Sequence, residues 1–225
     1  LGPNGIGKTT FVKLLAGDLQ PDEGYAAYST RTLKVSYKPQ YLTELKLEGV
    51  VEEVLERKLG SVLYSSWFKA EVAEPLGVSE LFEKSFDELS GGELQRVAIA
   101  TCLGTEAELY LLDEPSAYLD VEQRLAMARA VRKVVESRGV AAVVVEHDVM
   151  VADAIADRIL LFTGEPGKYG KASEPMGLRK AFNNFLRGLD VTFRRDPHTG
   201  RARVNKPGSY LDRAQKAAGE YYYEE

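Results

Sequence analysis

The sequence predicts an α/β fold on a mostly parallel sheet, with a small antiparallel β part and an inserted helical subdomain. Three observations predict it. A glycine-rich turn, Leu1–Thr10, runs straight into a helical pattern. Short apolar runs, Leu109–Leu112 and Val140–Val145, end in Asp113-Glu114 and Glu146-His147-Asp148, as buried parallel strands do at their carboxyl ends. Helical stretches alternate with those runs, which calls for helices on both faces of the sheet.

The opening turn satisfies G-x-x-x-x-G-K-[ST] with Gly2, Gly7, Lys8 and Thr9. A loop that wraps a polyphosphate must turn its N–H groups inward, and the glycines permit that without a Cβ clash. Lys8 then supplies a point charge near the outer phosphates, and the Thr9 hydroxyl suits magnesium. Phe11, Leu14 and Leu15 follow at helical spacing, so the anion would meet a helix N-terminus. The strand that normally precedes such a loop is reduced to Leu1, so the sequence reads as a domain truncated at its N-terminus.

Helix Lys8–Ala16 is closed by Gly17 and Pro21. Residues 24–41 turn β-like, with Tyr25, Tyr28, Leu33, Val35 and Tyr37 among turn residues, and end on Lys38-Pro39-Gln40-Tyr41. A helical subdomain is expected over about residues 44–100, with Trp67, Phe68, Leu76, Leu81 and Phe82 as its apolar centre. Within it, Leu89-Ser90-Gly91-Gly92-Glu93 reads first as a capping box from Ser90 to Glu93. Two glycines in a first helical turn cost about 1 kcal/mol each against alanine. A phosphate approaching the backbone closely would supply the reason for them.

Asp113 suits magnesium and Glu114 an attacking water, both at a strand's carboxyl end. Ser116–Asp120 turns into a helix over Val121–Ser137 with an apolar face of Val121, Leu125, Ala128, Val131 and Val135. His147 falls at another strand's end, a functional position as readily as a structural one. Ile159–Phe162 is expected as a third strand. Gly164–Gly170 then makes a turn-rich hairpin and Leu178–Leu189 an amphipathic helix. Arg194, Arg195, Arg201, Arg203 and Lys206 concentrate charge before a terminal Tyr221–Tyr223, and either contact with nucleic-acid phosphates or links to nearby acids would account for them.

Composition narrows the classes. The 225 residues are 44% hydrophobic and 28% charged, ordinary for a globular protein, and no apolar run is long enough to span a membrane. A net charge of −5 disfavours non-specific nucleic-acid binding outside a local basic patch. Cys102 is the single cysteine, which excludes a disulfide framework or cysteine metal cage and reads as a small core residue.

The phosphate loop, Gln40, Leu89–Glu93, Asp113-Glu114, Asp120 and His147, in that order, resemble the nucleotide-binding domain of the ATP-binding cassette superfamily. The wording of Gly5–Lys13, Ser116–Arg124, Gly164–Gly170 and Pro207–Tyr223 is similar to its ribosome-recycling branch, the RNase L inhibitor family, in its second nucleotide-binding domain plus the closing hinge segment. The resemblance implies a P-loop NTPase of the ABC ATPase type over residues 1–163 and a hairpin, helix and hinge extension over 164–225. It implies that Gly2, Asn4, Gly5, Gly7, Lys8, Thr9 and Thr10 hold ATP, and that Gln40 and Asp113 join Thr9 around Mg²⁺. Glu114 would be the general base and His147 the γ-phosphate sensor. Ser90, Gly91, Gly92 and Glu93 would cap the nucleotide of an opposite site, with Asp120 coupling the two.

The implied partners are a second nucleotide-binding domain arranged head-to-tail, the small ribosomal subunit with its RNA, and termination or rescue factors, in the cytoplasm and away from membranes. Iron–sulfur clusters are expected only in the family's N-terminal domain. The alternative is the ATPase subunit of an ABC transporter, which shares the core motifs but leaves the C-terminal segment without a purpose. A chromosome-associated ATPase head would need a long coiled coil that residues 41–89 do not supply.

Overall fold

Strands β1 (Val35–Lys38), β2 (Leu109–Asp113) and β3 (Ala141–Val145) form a parallel sheet in the order β1-β2-β3, in a computed structural model that describes residues 1–23, 33–45, 47–196 and 202–223. Tyr25, Tyr28 and Arg201 lie outside the described residues. The central strand β2 is the apolar run, buried from Tyr110 to Asp113. Its register aligns Lys38 with Leu112 and Asp113 with Val145, so Gln40, Glu114 and Glu146 all leave the sheet at the same end. That end is where open α/β sheets bind ligands.

The chain divides into two compact units, Thr9–Glu146 and Leu1–Lys8 with His147–Glu225. In the first, Val12 of helix α1 (Lys8–Ala16) packs with Leu111 and Val145. The helical stretch follows as α2 (Val51–Leu59), short 3-10 turns, α3 (Ser66–Phe68) and α4 (Gly91–Gly104). Phe68, Leu76 and Leu81 are buried as expected, whereas Trp67 is half-buried beneath the Arg138 guanidinium, 4.0 Å from its ring centroid. An indole N–H needs a partner, and Trp67 Nε1 donates to Ser137 Oγ at 3.4 Å.

Helix α5 (Val121–Arg138) begins at its Asp120 cap and ends at Gly139 in the left-handed conformation. Its buried stripe is Met127, Ala128, Ala130, Val131 and Val134, rotated from the expected one; Val121 is exposed because it sits in the first turn, short of the packed surface. Cys102 is buried on α4, where Ser36 Oγ donates to its carbonyl at 2.8 Å, and burial pushes its thiol up to about 12.

In the second unit, Leu1, Val149, Ile159, Leu161, Phe182, Leu186 and Tyr222 share one core. It carries helix α6 (Val149–Ile155), a hairpin of β4 (Phe162–Glu165) and β5 (Tyr169–Ala172), and helix α7 (Leu178–Leu189). A small sheet, β7-β6-β8, joins β6 (Phe193–Arg195), β7 (Ala202–Val204) and β8 (Tyr222–Tyr223) beside helix α8 (Tyr210–Ala218). The expected third strand differs. Among the described residues Ile159 bridges only Met176, and Phe162 opens the hairpin instead, because a tight turn at Gly167 returns the chain antiparallel. The tyrosine end is packed: Tyr222 is 1% exposed and its ring lies 4.9 Å from Phe182.

Candidate functional site

The phosphate loop belongs to the second unit and is shaped by the hairpin. Gly2 is buried at φ +154°, and a Cβ there would lie 2.5 Å from the Phe162 carbonyl. Phe162 N donates to Leu1 O at 2.8 Å, and Gly167 N to Gly5 O at 2.9 Å, so β4 and its turn brace the loop. Gly7, at φ +92°, has no neighbour within 4 Å of where its Cβ would stand, which leaves that part of the loop open. Lys8 is 5% exposed, and its ammonium donates to Gly2 O at 2.9 Å and Pro3 O at 2.6 Å. A cation held beside an open glycine-rich loop is what a polyphosphate needs, and the loop fits that ligand. Asn4 is exposed on the same loop, and His147 is exposed in the same unit just before α6.

In the first unit, Thr9 Oγ1 donates to Gln40 Oε1 at 3.5 Å. Adjacent ligands of octahedral magnesium stand about 3 Å apart. Thr9 and Gln40 bring two neutral oxygens to this separation, and oxygen donors of this kind, like the carboxylate of Asp113 at the end of β2, are of the hard type magnesium takes. Among the described residues no group of three or more His, Cys, Asp or Glu could hold a metal alone. Thr10 is exposed on α1.

Three side chains that the sequence reading passed over hold the strand ends. Lys38 is 1% exposed and donates to Asp113 O at 2.8 Å; burial lowers its ammonium to about 8, against the opposing pull of the Asp113 carboxylate. Glu146, also buried, accepts from Ser116 N at 3.0 Å and Ser116 Oγ at 2.8 Å. Gln95 donates to Glu114 O and Pro115 O, both at 2.9 Å. The signal for Gln95 was periodicity: it shares the buried helical face with Ile99 and Cys102. For Lys38 and Glu146 local sequence offered nothing, since only the sheet register brings them to their partners.

The Ser90–Glu93 capping box forms in both directions, with Ser90 N donating to Glu93 Oε2 at 2.8 Å and Glu93 N to Ser90 Oγ at 3.3 Å. A hydrogen bond from Lys84 at 2.7 Å, with the Ser90 amide, draws the Glu93 carboxyl down to about 2. Gly92 has a packing reason as well, whereas a Cβ on Gly91 would make only ordinary contact. A Cβ on Gly92 would stand 2.9 Å from the Tyr118 carbonyl, and one on Gly91 3.4 Å from the Tyr118 ring. Tyr118 itself takes φ +62° and is 75% exposed, beside Asp120, whose carboxylate caps α5 by accepting from Gln123 N at 2.8 Å.

The ABC transporter family profile matches residues 1–117. The chain belongs to the ABC family of ATP-binding domains. Across 99% of its length it is 52% identical to an uncharacterized ABC transporter ATP-binding protein of Methanocaldococcus jannaschii, of which it spans 36%. A solved structure described as an RNase-L inhibitor superposes with a TM-score of 0.92 at 56% identity, over 99% of this chain and 42% of that one. An archaeal ribosome recycling factor, solved with the archaeal ribosomal stalk protein aP1, gives a TM-score of 0.92 at 55% identity, over all of this chain and 43% of that one. Within the ABC family the chain therefore groups with the RNase L inhibitor proteins, and it spans well under half the length of these relatives. The fold is the ABC ATPase P-loop fold, with a parallel sheet and small antiparallel sheets. ATP with magnesium is the ligand pair this family implies.

Proposed function

We propose that the chain is the ATP-binding and ATP-hydrolysing half of a twin-cassette ATPase that splits ribosomes into subunits, acting in the cytoplasm. The observation that most supports this is the likeness to the archaeal recycling factor over the whole chain, C-terminal unit included, at 55% identity. In this reading residues 1–163 form the second nucleotide-binding domain, with its helical subdomain at about 44–100, and residues 164–225 form the hinge extension. The small ribosomal subunit and termination or rescue factors are its partners.

Lys8, the loop amides, Asn4 and Thr10 bind the triphosphate. Thr9, Gln40 and Asp113 hold magnesium, which offsets phosphate charge when bound. Glu114 takes a proton from the attacking water, and His147 senses the γ-phosphate. Ser90–Glu93 caps the nucleotide of a partner cassette, and Asp120 couples the two sites. One chain supplies the loop of one composite site and the signature segment, Ser90–Glu93 at the start of α4, of the other, so full turnover requires the partner cassette.

Glu114→Gln tests this. The amide keeps the size of the carboxylate but accepts no proton, so turnover should fall by about two to four orders of magnitude. Nucleotide retained through gel filtration should persist, since Lys8 and the magnesium donors are untouched. Turnover equal to wild type would remove Glu114 as the base.

A further inference from the structure

Gln95 sits one turn into α4 and is 1% exposed. Its two amide hydrogens go to two successive carbonyls, Glu114 O and Pro115 O, at 2.9 Å each. The orientation of the amide follows from chemistry: flipped, its oxygen would face both carbonyls. Among the described residues its Oε1 is buried without a hydrogen-bond partner. A buried glutamine kept with one polar atom unsatisfied destabilises the fold, so apolar packing alone does not account for it.

What it grips is unusual backbone. Glu114 stands at φ +48°, a left-handed conformation that glycine favours and glutamate does not, with a proline next in the chain. The same segment is held from the other side by Glu114 N to Val145 O at 3.0 Å and by the Glu146 carboxylate on Ser116. Those contacts fix the amides before and after the bend. Gln95 fixes the carbonyls between them, and it does so from the helix that begins at Ser90-Gly91-Gly92.

We propose that Gln95 is a positioning residue for Glu114: it holds the strained Glu114–Pro115 backbone, and with it the aim of the carboxylate, to the signature helix α4. The proposal rests on Glu114 being the base. A shift of the signature helix is then transmitted to the hydrolytic carboxylate of the same chain through two hydrogen bonds. Gln95 itself touches no reactant.

Gln95→Met removes both donors at similar volume. In the protein that carries this chain with its partner cassette, kcat should fall about ten- to a hundredfold, as expected for a misplaced catalytic group. KM for ATP and nucleotide retention should stay at wild-type values, and amide hydrogen exchange should quicken over residues 114–117 but not along α4. Adding Gln95→Met to Glu114→Gln should cost nothing further, because the group it aims is already gone. Unchanged kcat, or losses that multiply in the double variant, or kcat and nucleotide affinity falling together, would each overturn the proposal. A Glu114→Gln variant that turns over normally would instead refute the base assignment. If the methionine variant does not fold, Gln95→Asn keeps the amide one methylene short. It should show the same kcat-only loss at smaller size, and wild-type kcat and exchange in it would equally overturn the proposal.

Discussion

Glu93 is where a single side chain does two jobs in the capping of α4: it closes the box on Ser90 N and pairs with Lys84. Its carboxyl is held down to about 2 by the Lys84 hydrogen bond first and the Ser90 amide second. A carboxyl depressed on folding contributes stability that is fully present above its ordinary value near 4.5 and is lost as pH falls toward 2. Glu93→Gln keeps an acceptor for Ser90 N and removes the charge. Denaturation midpoints of the variant should therefore change less than those of wild type between pH 4.5 and pH 2, while the two proteins differ by a constant amount above pH 5. Parallel curves through the acid range would show that the pair contributes nothing in solution, as exposed pairs often do. At Gly92 the lesson is different. The sequence shows why a cap is there but not why alanine is excluded, because the obstructing atom, Tyr118 O, is 26 residues away.

Among the elements, the hairpin β4–β5 is the one whose position changes the meaning of its sequence. As a sequence, Gly164–Gly170 reads as a turn-rich start to a C-terminal extension; in the fold, its strands and turn lie along the phosphate loop. A Cβ on Gly170 would collide with the Ile6 carbonyl, and Gly167 N bonds Gly5 O. Gly170→Ala must therefore push the loop or the strand, and a shift of the loop is the outcome that nucleotide affinity reads. Nucleotide affinity should drop about tenfold by calorimetric titration, because a displaced loop loses the aim of several amides at once, and the thermal midpoint should fall too, since backbone must move to admit the methyl group. Unaltered affinity would mean that the hairpin yields instead. Helices α1, α5 and α7 and the hairpin itself were legible from the sequence because local period, caps and turn residues determine them. Ile159–Phe162 is the exception, with only Phe162 entering a strand, since a buried apolar run does not say which strand it will pair with. The clamps at Lys38, Gln95 and Glu146 are tertiary for the same reason: each partner is a backbone or hydroxyl group distant in sequence.

At the scale of the molecule, the question is where a chain of net charge −5 could meet RNA. The basic tail looked uniform in sequence, and the fold divides it. Arg195 is committed inside the protein: both Asp153 oxygens lie within 3.0 Å of its Nη2, and the Tyr222 hydroxyl joins them. Arg203 pairs with Asp196 at 3.2 Å. Arg194 and Lys206 are exposed, and among the described residues the side-chain partner of Arg194 is the neutral Asn205 Oδ1, at 3.5 Å. If the small ribosomal subunit binds here, these two carry the phosphate contacts. Each phosphate contact contributes about 0.7 to 0.9 to the slope of log affinity against log salt. Replacing both Arg194 and Lys206 by Gln should then lower that slope by about 1.4 to 1.8 for binding to purified small subunits, with the folded state unaffected. Arg195→Gln is the opposite case. It strands Asp153 beside a buried tyrosine, so the thermal midpoint should fall while the salt slope stays as in wild type. Equal slopes for wild type and the Arg194/Lys206 variant would take RNA away from this face and leave its charges to the surface.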